Sequence, residues 1–517
     1  MSTETSPANS TPTSSTPHGA PAADADLGLR SATELSALIR RRELGSEELL
    51  DHYLGRIERL NGDLNAVVTF DVERARDTAR AADAATAQAA TAGSGAALGA
   101  LHGLPITVKD AIATGGLRTT GGATELADFV PDADAPVVSR VKDAGAVVFA
   151  KTNLPRWSGD VQAFNPMFGT TNNPWDLTRS PGGSSGGASA AVAAGLTSFE
   201  IGTDIGGSVR LPAHFAGVCG HKPSFGIVAQ TGYIDHVGAG PGEADVNVVG
   251  PLARSVADLE LLMGVMAGPT ADRSAAWRLE LPAPRHQALG DFRVAAWLDD
   301  PACPVGSAVG AALDAAVRAL AGAGASVDRE ARPAVDFDDV RRVGLPLISA
   351  ATSPGRTAEE FAELARVAHD PDAEASEAFR MRARASAIHH RDWLLLGEQR
   401  QRTRQVWADF FTRFDVLLCP VAVVAAFPHS HEGTVYTRPI DVDGVTRSFA
   451  DLICWTSLIG YVYLPSTVVP VGWTADGLPV GIQIVAPYLE DRTALAFATH
   501  VERVLGGYRP PPRAQLA

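Results

Sequence analysis

Two loops rich in glycine and serine, one on each side of a run of small residues, constrain this chain more than any other feature of its sequence. The first loop, residues 182–187, reads GGSSGG, and the second, residues 202–208, reads GTDIGGS. Glycine marks places where the backbone turns tightly or approaches another group closely. The segment between the loops, GASAAVAAG at 187–195, has side chains small enough for a helix packed tightly on a sheet. The pattern therefore predicts a buried helix between two tight loops.

The other patterns indicate both helices and strands. Ser46 and Ser255 stand before amphipathic segments as helix caps, and residues 164–181 are rich in turn residues and predict no regular element. We predict helices at 31–61, in two parts, and at 72–91, 137–144, 187–195, 255–266, 308–321, 358–368 and 377–412. We predict strands at 104–108, 146–150, 197–202, 416–418 and 480–485. Alternation of the two is typical of an α/β fold.

A chain of this length can form one large domain or several smaller ones, and length alone does not decide between them. The chain has 517 residues, of which 45 % are hydrophobic and 20 % charged, as in soluble proteins with a large core. We find no internal repeat and no linker in the body, so we predict a single domain over 27–517. Residues 1–26 are rich in Ser, Thr, Pro and Ala, which predicts a disordered tail.

Charge and cysteine content narrow the classes of partner. A net charge of −15 argues against nonspecific binding to nucleic acid or to an anionic membrane. No run approaches the roughly 18 apolar residues of a membrane span, and the N-terminus lacks the basic and apolar regions of a signal peptide. Four cysteines without a CxxC pair indicate buried thiols in a reducing compartment. We therefore expect a cytoplasmic protein with no direct contact to nucleic acid or membrane.

Three interpretations of the glycine loops compete. Phosphate binding is disfavoured because neither loop has the Walker spacing with its lysine or a GxGxxG after a strand. The nucleophile elbow of α/β-hydrolases matches Gly182–Gly186, but the motif needs a strand directly before it, and residues 178–181 do not form one. The third interpretation uses both loops: a serine in one of them attacks a carbonyl, and backbone N–H groups stabilise the oxyanion.

A lysine can act as the base for such a serine, since Ser–Lys pairs are an alternative to the Ser–His–Asp triad. A lysine accepts a proton only when it is neutral, and burial lowers its pKa. Lys109 ends the apolar segment LPITV, a position that predicts its removal from solvent.

The stretch GGSSGGASAAVAAGLTSFEIGTDIGGSVRLPA closely resembles the amidase signature. Further segments resemble the same family in the same order: HGLPITVKD, AKTNLPRWSGD, FGTTNNPWD, GHKPSFGIV, GPLARSVADLELL and GLPVGIQIVAP. The resemblance covers about residues 30 to 510. It implies one large domain with a mixed, twisted β-sheet core covered by α-helices on both faces. It also implies that the helical region at 270–430 shapes the substrate cleft.

The resemblance assigns roles to individual residues. Lys109 is the implied base, Ser184 the bridging serine behind a cis peptide bond, and Ser208 the nucleophile. The implied oxyanion hole consists of the backbone N–H groups of Ile205, Gly206, Gly207 and Ser208. The residues implied to support the loop are Asp204, Arg210 and Ser185. The mechanism needs no metal and no cofactor.

Several residues have competing interpretations. Glu200 stands where the family has a small residue; it is interpreted as a strand side chain paired with a neighbouring arginine, or as a tuning group near Arg210 or the lysine. Lys151 and Lys222 are expected to make structural or solvent contacts. The histidine pairs at 389–390 and 429/431 lack carboxylates at ligand spacing, so metal binding is disfavoured. Four residues before the first loop are predicted to line either an apolar substrate pocket or the core: Trp157, Phe164, Met167 and Phe168.

Two enzymatic hypotheses follow, and a non-catalytic binding role is disfavoured. The first is a free-standing amidase, monomeric or homodimeric, that cleaves small carboxamides, including anilides or carbamates, through an acyl-enzyme. The second is a glutaminase-type subunit of a tRNA-dependent amidotransferase, in which partner proteins bind the tRNA.

Overall fold

The computed structural model of this protein describes residues 26–91, 98–370 and 372–515. The α-helices are α1 Ala32–Arg40, α2 Ser46–Leu64, α3 Val72–Thr91, α4 Pro136–Asp143, α5 Gly186–Ala193, α6 Arg210–Ala216, α7 Val256–Met266, α8 Ser307–Gly322, α9 Phe337–Asp339, α10 Leu345–Ala351, α11 Ala358–His369, α12 Glu377–Ser386, α13 His390–Phe410, α14 Cys454–Gly460 and α15 Asp491–Leu505. The strands are β1 Val67–Phe70, β2 Pro105–Lys109, β3 Val147–Thr152, β4 Phe164–Asn165, β5 Gly169–Thr170, β6 Glu200–Asp204, β7 Cys219–Lys222, β8 Val248–Ala253, β9 Arg293–Ala296, β10 Ser326–Asp328, β11 Val416–Pro420, β12 Pro439–Val442, β13 Val445–Ser448, β14 Ser466–Trp473 and β15 Pro479–Val485.

One mixed sheet of eleven strands forms the centre of the fold, in the order β1-β3-β2-β6-β8-β7-β14-β15-β11-β9-β10. Strands β3, β2 and β6 are parallel to one another, as are β11, β9 and β10. The other neighbours in the sheet are antiparallel. The predicted α/β fold, a single large domain around a mixed sheet, is confirmed.

Helices cover both faces of the sheet. The buried side chains of β11, which alternate between the two faces, show why both faces are covered. Val416 and Leu418 belong to one hydrophobic cluster, together with residues of α7, α8 and α15. Leu417 and Cys419 belong to a second cluster, which includes residues of α6 and α14. Successive side chains of a strand point to opposite faces, so each face of the sheet has its own core.

Capping explains where several helices begin. The Ser255 hydroxyl accepts from the amide of Asp258 at 3.1 Å, which confirms the predicted cap of α7. The prediction for Ser46 is wrong by one residue: it is the first residue of α2, and Gly45 occupies the cap position. The carboxylate of Asp83 on α3 accepts from the amides of Ser46 and Glu47 instead. A cap from a distant helix leaves no local sequence signal.

Three predicted segments differ from the structure. The single helix predicted at 377–412 is two helices, α12 and α13, because the chain turns at Ala387–His389 and packs α12 against α10 and α11. The segment 164–181 contains the small hairpin β4–β5. The mainly helical region at 270–430 also contributes β9 and β10 to the edge of the main sheet. The predicted tail, 1–26, lies outside the described residues except for Asp26, which forms an ion pair with Arg56.

The parallel pairing of β2 and β6 brings two distant segments together. Thr107 lies opposite Glu200 and Val108 opposite Ile201, so both strands end at the same edge of the sheet. Lys109 closes β2 and Asp204 closes β6 at this edge. Within the described part of the chain, no helix is both long enough and apolar enough for a membrane span.

Candidate active site

Lys109 lies at the carboxyl end of β2 and is completely buried. Its Nζ atom is 2.6 Å from the hydroxyl oxygen of Ser184 and 2.8 Å from that of Thr203. Thr203 lies in the second glycine loop, and Ser184 lies within the first. The lysine thus connects both loops, as the third interpretation of the sequence requires. Thr203 stands inside the recognised motif, but nothing in the sequence assigned it a role.

The two glycine loops also contact each other directly. The amide of Ser185 donates to the carbonyl of Ser208 at 3.2 Å. The Ser185 hydroxyl lies 3.3 Å from the carbonyl oxygen of Thr203, which fits the predicted loop-supporting role. The peptide bond between Gly183 and Ser184 is cis, as the resemblance implied.

Small residues allow this close approach. A Cβ atom on Gly187 would lie 2.4 Å from the backbone nitrogen of Asn153, so α5 packs directly against the end of β3. Gly207 has a φ of 125°, and a Cβ there would lie 2.6 Å from the Thr456 hydroxyl. Only glycine satisfies both restraints at this turn. The compact glycine and alanine pattern of the sequence reflects these backbone contacts.

Ser208 is the member of the group that reaches a cavity. Lys109 and Ser184 are 0 % exposed, whereas Ser208 is 9 % exposed. A cavity of about 290 Å³ is lined by Ser208 together with Ile205 and Gly206. A ligand in this cavity would therefore meet Ser208 before either of the other two residues.

An internal ion pair shapes the loop that carries Ser208. The guanidinium of Arg210 donates to both carboxylate oxygens of Asp204, at 2.9 and 2.8 Å, and both residues are buried. Arg210 also donates to the Thr456 carbonyl at 2.7 Å and to the Gln483 side chain at 2.9 Å. Although burial opposes ionisation, the charge and hydrogen bonds of Arg210 lower the pKa of Asp204 below its ordinary value. These contacts agree with the predicted loop-supporting roles.

The Asp204 carboxylate accepts a hydrogen bond from one of the four backbone amides expected in the oxyanion hole. Asp204 accepts from the amide of Gly207 at 2.9 Å and from that of Val209 at 3.1 Å. Among the described contacts of this carboxylate, none is to the amides of Ile205, Gly206 or Ser208. The Gly206 carbonyl is held by the Thr456 hydroxyl at 2.7 Å. The Gly207 amide is therefore already used inside the loop, and the assignment of the Ile205, Gly206 and Ser208 amides to an oxyanion hole stays a prediction.

Burial changes the acid–base properties of Lys109. Removal from water lowers its pKa from the ordinary 10.5 to about 7, against the opposing charges of Asp204 and Glu200. A substantial fraction of this amine is therefore neutral near pH 7. The sequence predicted this direction from the apolar strand that precedes the lysine.

Two of the four predicted pocket residues line the cavity beside Ser208. Trp157 and Phe164 do so. Met167 and Phe168 are half-buried outside its lining, and Phe168 lies under the guanidinium of Arg118. The predicted pocket is thus narrowed to its first two aromatic residues. Other lining residues, which lie far along the chain and which the sequence did not reveal, include Ile348, Thr352, Arg356, Val435, Tyr436 and Ile453.

The remaining candidate residues lie elsewhere. Lys151 is buried and donates to the carbonyl of Ile112 and to Thr114, and Lys222 donates to the carbonyl of Pro223 at 2.7 Å. Both contacts are structural. His389 pairs with His369, and His431 stacks on Phe164. Over the ranges that the structure describes, no group of three or more His, Cys, Asp or Glu residues is arranged to hold a metal ion.

The first interpretation of Glu200 is right about the strand, since the residue begins β6, but wrong about the arginine partner. Its carboxylate accepts from the hydroxyls of Thr107 and Thr152, its side chain is buried beside β2, and none of its contacts among the described residues is to an arginine. Burial raises its pKa to about 8, while the two threonines, Lys151 and Lys109 act in the opposite direction. The alternative interpretation, a group near the lysine, agrees with this position.

The family model described as Amidase matches residues 48–495. The chain belongs to the amidase signature family. Enzymes of this family are hydrolases that act on carbon–nitrogen bonds, and this amidase has their fold over nearly its whole length.

Three relatives show how far the similarity extends. A glutamyl-tRNA(Gln) amidotransferase subunit of Acidothermus cellulolyticus is 34 % identical over 496 residues, which cover 90 % of this amidase and 92 % of the relative. A solved amidase structure has a TM-score of 0.75 at 28 % identity and covers 92 % of this chain and 100 % of its own. A bacterial aryl acylamidase of the amidase signature family has a TM-score of 0.76 at 25 % identity, with 92 % and 96 % covered.

We predict that Asp204→Asn strongly destabilises this amidase, because it leaves the buried Arg210 without its counter-charge. Removing one partner of a buried ion pair costs about 3–5 kcal/mol. Thermal unfolding monitored by circular dichroism is expected to show a clearly lower midpoint. The matched control is Glu363→Gln, which breaks a pair with Arg366 whose side chains are 51 % and 50 % exposed. Equal midpoints for the two variants would contradict the role of the buried pair.

Proposed function

We propose that this amidase cleaves a carboxamide C–N bond through an acyl-enzyme on Ser208, with Ser184 as the proton relay and Lys109 as the base. The observation that carries the proposal is the contact of 2.6 Å between Lys109 Nζ and the Ser184 hydroxyl, next to a serine that reaches the cavity. A neutral amine, a relay hydroxyl and an accessible nucleophile are what this chemistry needs.

In the proposed acylation, neutral Lys109 takes the proton of Ser184 as Ser184 takes the proton of Ser208. The Ser208 oxygen forms a bond to the carbonyl carbon, and the carbonyl oxygen becomes negatively charged. Free amides of the 205–208 loop stabilise this oxyanion, because N–H groups that are already oriented interact most strongly with an oxygen on which negative charge develops. The C–N bond then breaks, and the leaving amine receives the proton from Lys109 by way of Ser184. Water attacks the ester by the same route and frees Ser208.

The identity of the substrate divides the proposal into two candidates. Sequence comparison favours the glutaminase-type subunit, because curated relatives at 31–34 % identity are named as subunits of glutamyl-tRNA(Gln) amidotransferase. On this candidate, glutamine is the amide, and other subunits receive the ammonia and bind the tRNA.

The cavity favours the second candidate, a free-standing amidase acting on small amides, anilides or carbamates. Its walls include the aromatic rings of Trp157, Phe164 and Tyr436 and the aliphatic side chains of Ile348 and Ile453. Such walls suit an apolar acyl or aryl group, and the charged side chains of Arg156, Asp160 and Arg356 complete the lining. We also propose that either form acts in the cytoplasm; the free-standing form would be a monomer or homodimer.

One assay separates the two candidates. The purified chain is incubated without partners, and ammonia release from glutamine is compared with aniline release from a simple anilide. Turnover of the anilide at a similar or higher rate supports the free-standing amidase and contradicts the amidotransferase candidate. Turnover confined to glutamine supports the amidotransferase candidate and contradicts the free-standing form.

We predict that kcat/KM rises with pH across the region around pH 7, because Lys109 is a base only when neutral and burial lowers its pKa to about 7. Below this pH the amine is protonated and the rate falls. Lys109→Ala and Lys109→Arg are each expected to lose at least about 10³-fold in rate, since guanidinium stays protonated at any usable pH.

The control for these variants is Lys142→Arg. Lys142 pairs with Asp134 near the surface, and its replacement should leave the rate unchanged. Substantial activity of Lys109→Arg would show that position 109 supplies only a positive charge, and the proposed proton route would be wrong.

A further inference from the structure

Glu200 and Lys109 lie on the same face of the sheet. Glu200 is opposite Thr107 on β2, and Lys109 is opposite Thr152 on β3. Paired residues of neighbouring strands share a face, as do residues two apart in one strand. All four side chains therefore belong to one buried layer. The Thr152 hydroxyl donates to the Glu200 carboxylate at 3.0 Å, and the Thr107 hydroxyl donates to its other oxygen.

The elements around this layer bring few other charges to it. Helix α5 packs against β2, β3, β6 and β8, and its sequence GGASAAVA has no ionisable side chain. Strand β8, the other neighbour of β6, has none either. The charged groups that act on Glu200 are Lys151 on β3 and Lys109 on β2, and Asp204 on β6 acts on Lys109.

Two of these groups have a counter-charge of their own. Asp204 forms the ion pair with Arg210. Lys151 lies opposite Val108, on the other face of the sheet from Lys109, and the carboxylate with the largest influence on it is Asp110, directly after β2. Lys109 and Glu200 remain as one acid and one base in a layer that water does not reach, and an uncompensated charge is expensive there.

We propose that Lys109 and Glu200 share one proton, so that Glu200 is a positioning residue that sets how much of Lys109 is neutral. The layer has no net charge in either arrangement: an ammonium with a carboxylate, or a neutral amine with a carboxylic acid. In the second arrangement the proton has left Lys109 Nζ and a proton is bound to a carboxylate oxygen of Glu200. Only this arrangement contains the base that the proposed function needs.

The direction of both pKa shifts agrees with a shared proton. Burial lowers the pKa of Lys109 to about 7 and raises that of Glu200 to about 8, so the two groups titrate in the same range. Groups coupled in this way lose their protons in two steps that belong to the pair. Activity of the wild type should therefore rise with pH in two steps, the second of which removes the proton still shared with Glu200.

The test compares pH profiles of kcat/KM for the wild type and Glu200→Gln. Glutamine has nearly the same shape and keeps an acceptor oxygen for a threonine, but it cannot bind the shared proton. The variant should show a single ionisation, and its pH of half-maximal activity should lie about one unit below that of the wild type. Superimposable profiles would overturn the proposal, because a purely structural role changes the rate at every pH without moving the profile.

Thr152 provides a second test that leaves the carboxyl group in place. Thr152→Val removes one of two donors to the carboxylate, which disfavours its ionised form and thereby favours neutral Lys109. The half-maximal pH should fall, by less than in Glu200→Gln, and Thr152→Ser should restore the wild-type value. An unshifted profile in Thr152→Val would count against the proposal even if Glu200→Gln fails to fold.

This inference rests on the proposed role of Lys109 as base, and the two can fail separately. An active Lys109→Arg variant would contradict the proposed function. An inactive Lys109→Arg together with an unshifted Glu200→Gln would contradict only the shared proton.

Discussion

The buried amine of Lys109 is the constraint on which the rest of this site depends. A lysine without access to water is unfavourable unless its nitrogen finds partners, and here those partners are the hydroxyls of Ser184 and Thr203. Because the partners come from two different loops, both loops must reach the end of β2 together. The same burial that makes this arrangement expensive lowers the pKa of the amine to about 7 and gives it the properties of a base. Burial of Lys109 Nζ is therefore unfavourable for stability and favourable for its proposed role as a base.

Close backbone contacts hold the buried Lys109 and the two loops in place. Strands β2 and β6 end side by side, which places Lys109 near the loop of Ser208. Helix α5 lies close enough to β3 that a Cβ atom on Gly187 would not fit, so its small residues are a packing requirement. On the other side, the Asp204–Arg210 pair fixes the nucleophile loop from within and connects it to Thr456 and Gln483. The site is thus supported by segments that lie far apart in the sequence.

Local sequence patterns predicted the helices and caps that are determined by residues close to one another along the chain. The helix at 72–91 follows from its alanine-rich sequence and the cap at Ser255 from one hydroxyl, and both agree with the structure. The motif residues came from the family resemblance, which also implied the cis peptide bond. Contacts between distant segments could not be predicted from the sequence. Examples are the cap of α2 by Asp83, the break between α12 and α13, and the hydrogen bond from the Gly207 amide to Asp204. Glu200 differs from the family pattern in the sequence. Its threonine partners depend on the register of the strands, which could not be predicted from the sequence.

In the proposed mechanism, Ser208 is the nucleophile and Ser184 passes its proton to Lys109. A reactive fluorophosphonate, followed by peptide mass spectrometry, tests it most directly, because the reagent bonds covalently to the attacking oxygen. We expect a single labelled peptide modified at Ser208, with no labelling of Ser208→Ala and greatly slowed labelling of Lys109→Ala. Modification of Ser184 in the wild type, with Ser208 left free, would contradict the account and reverse the roles of the two serines.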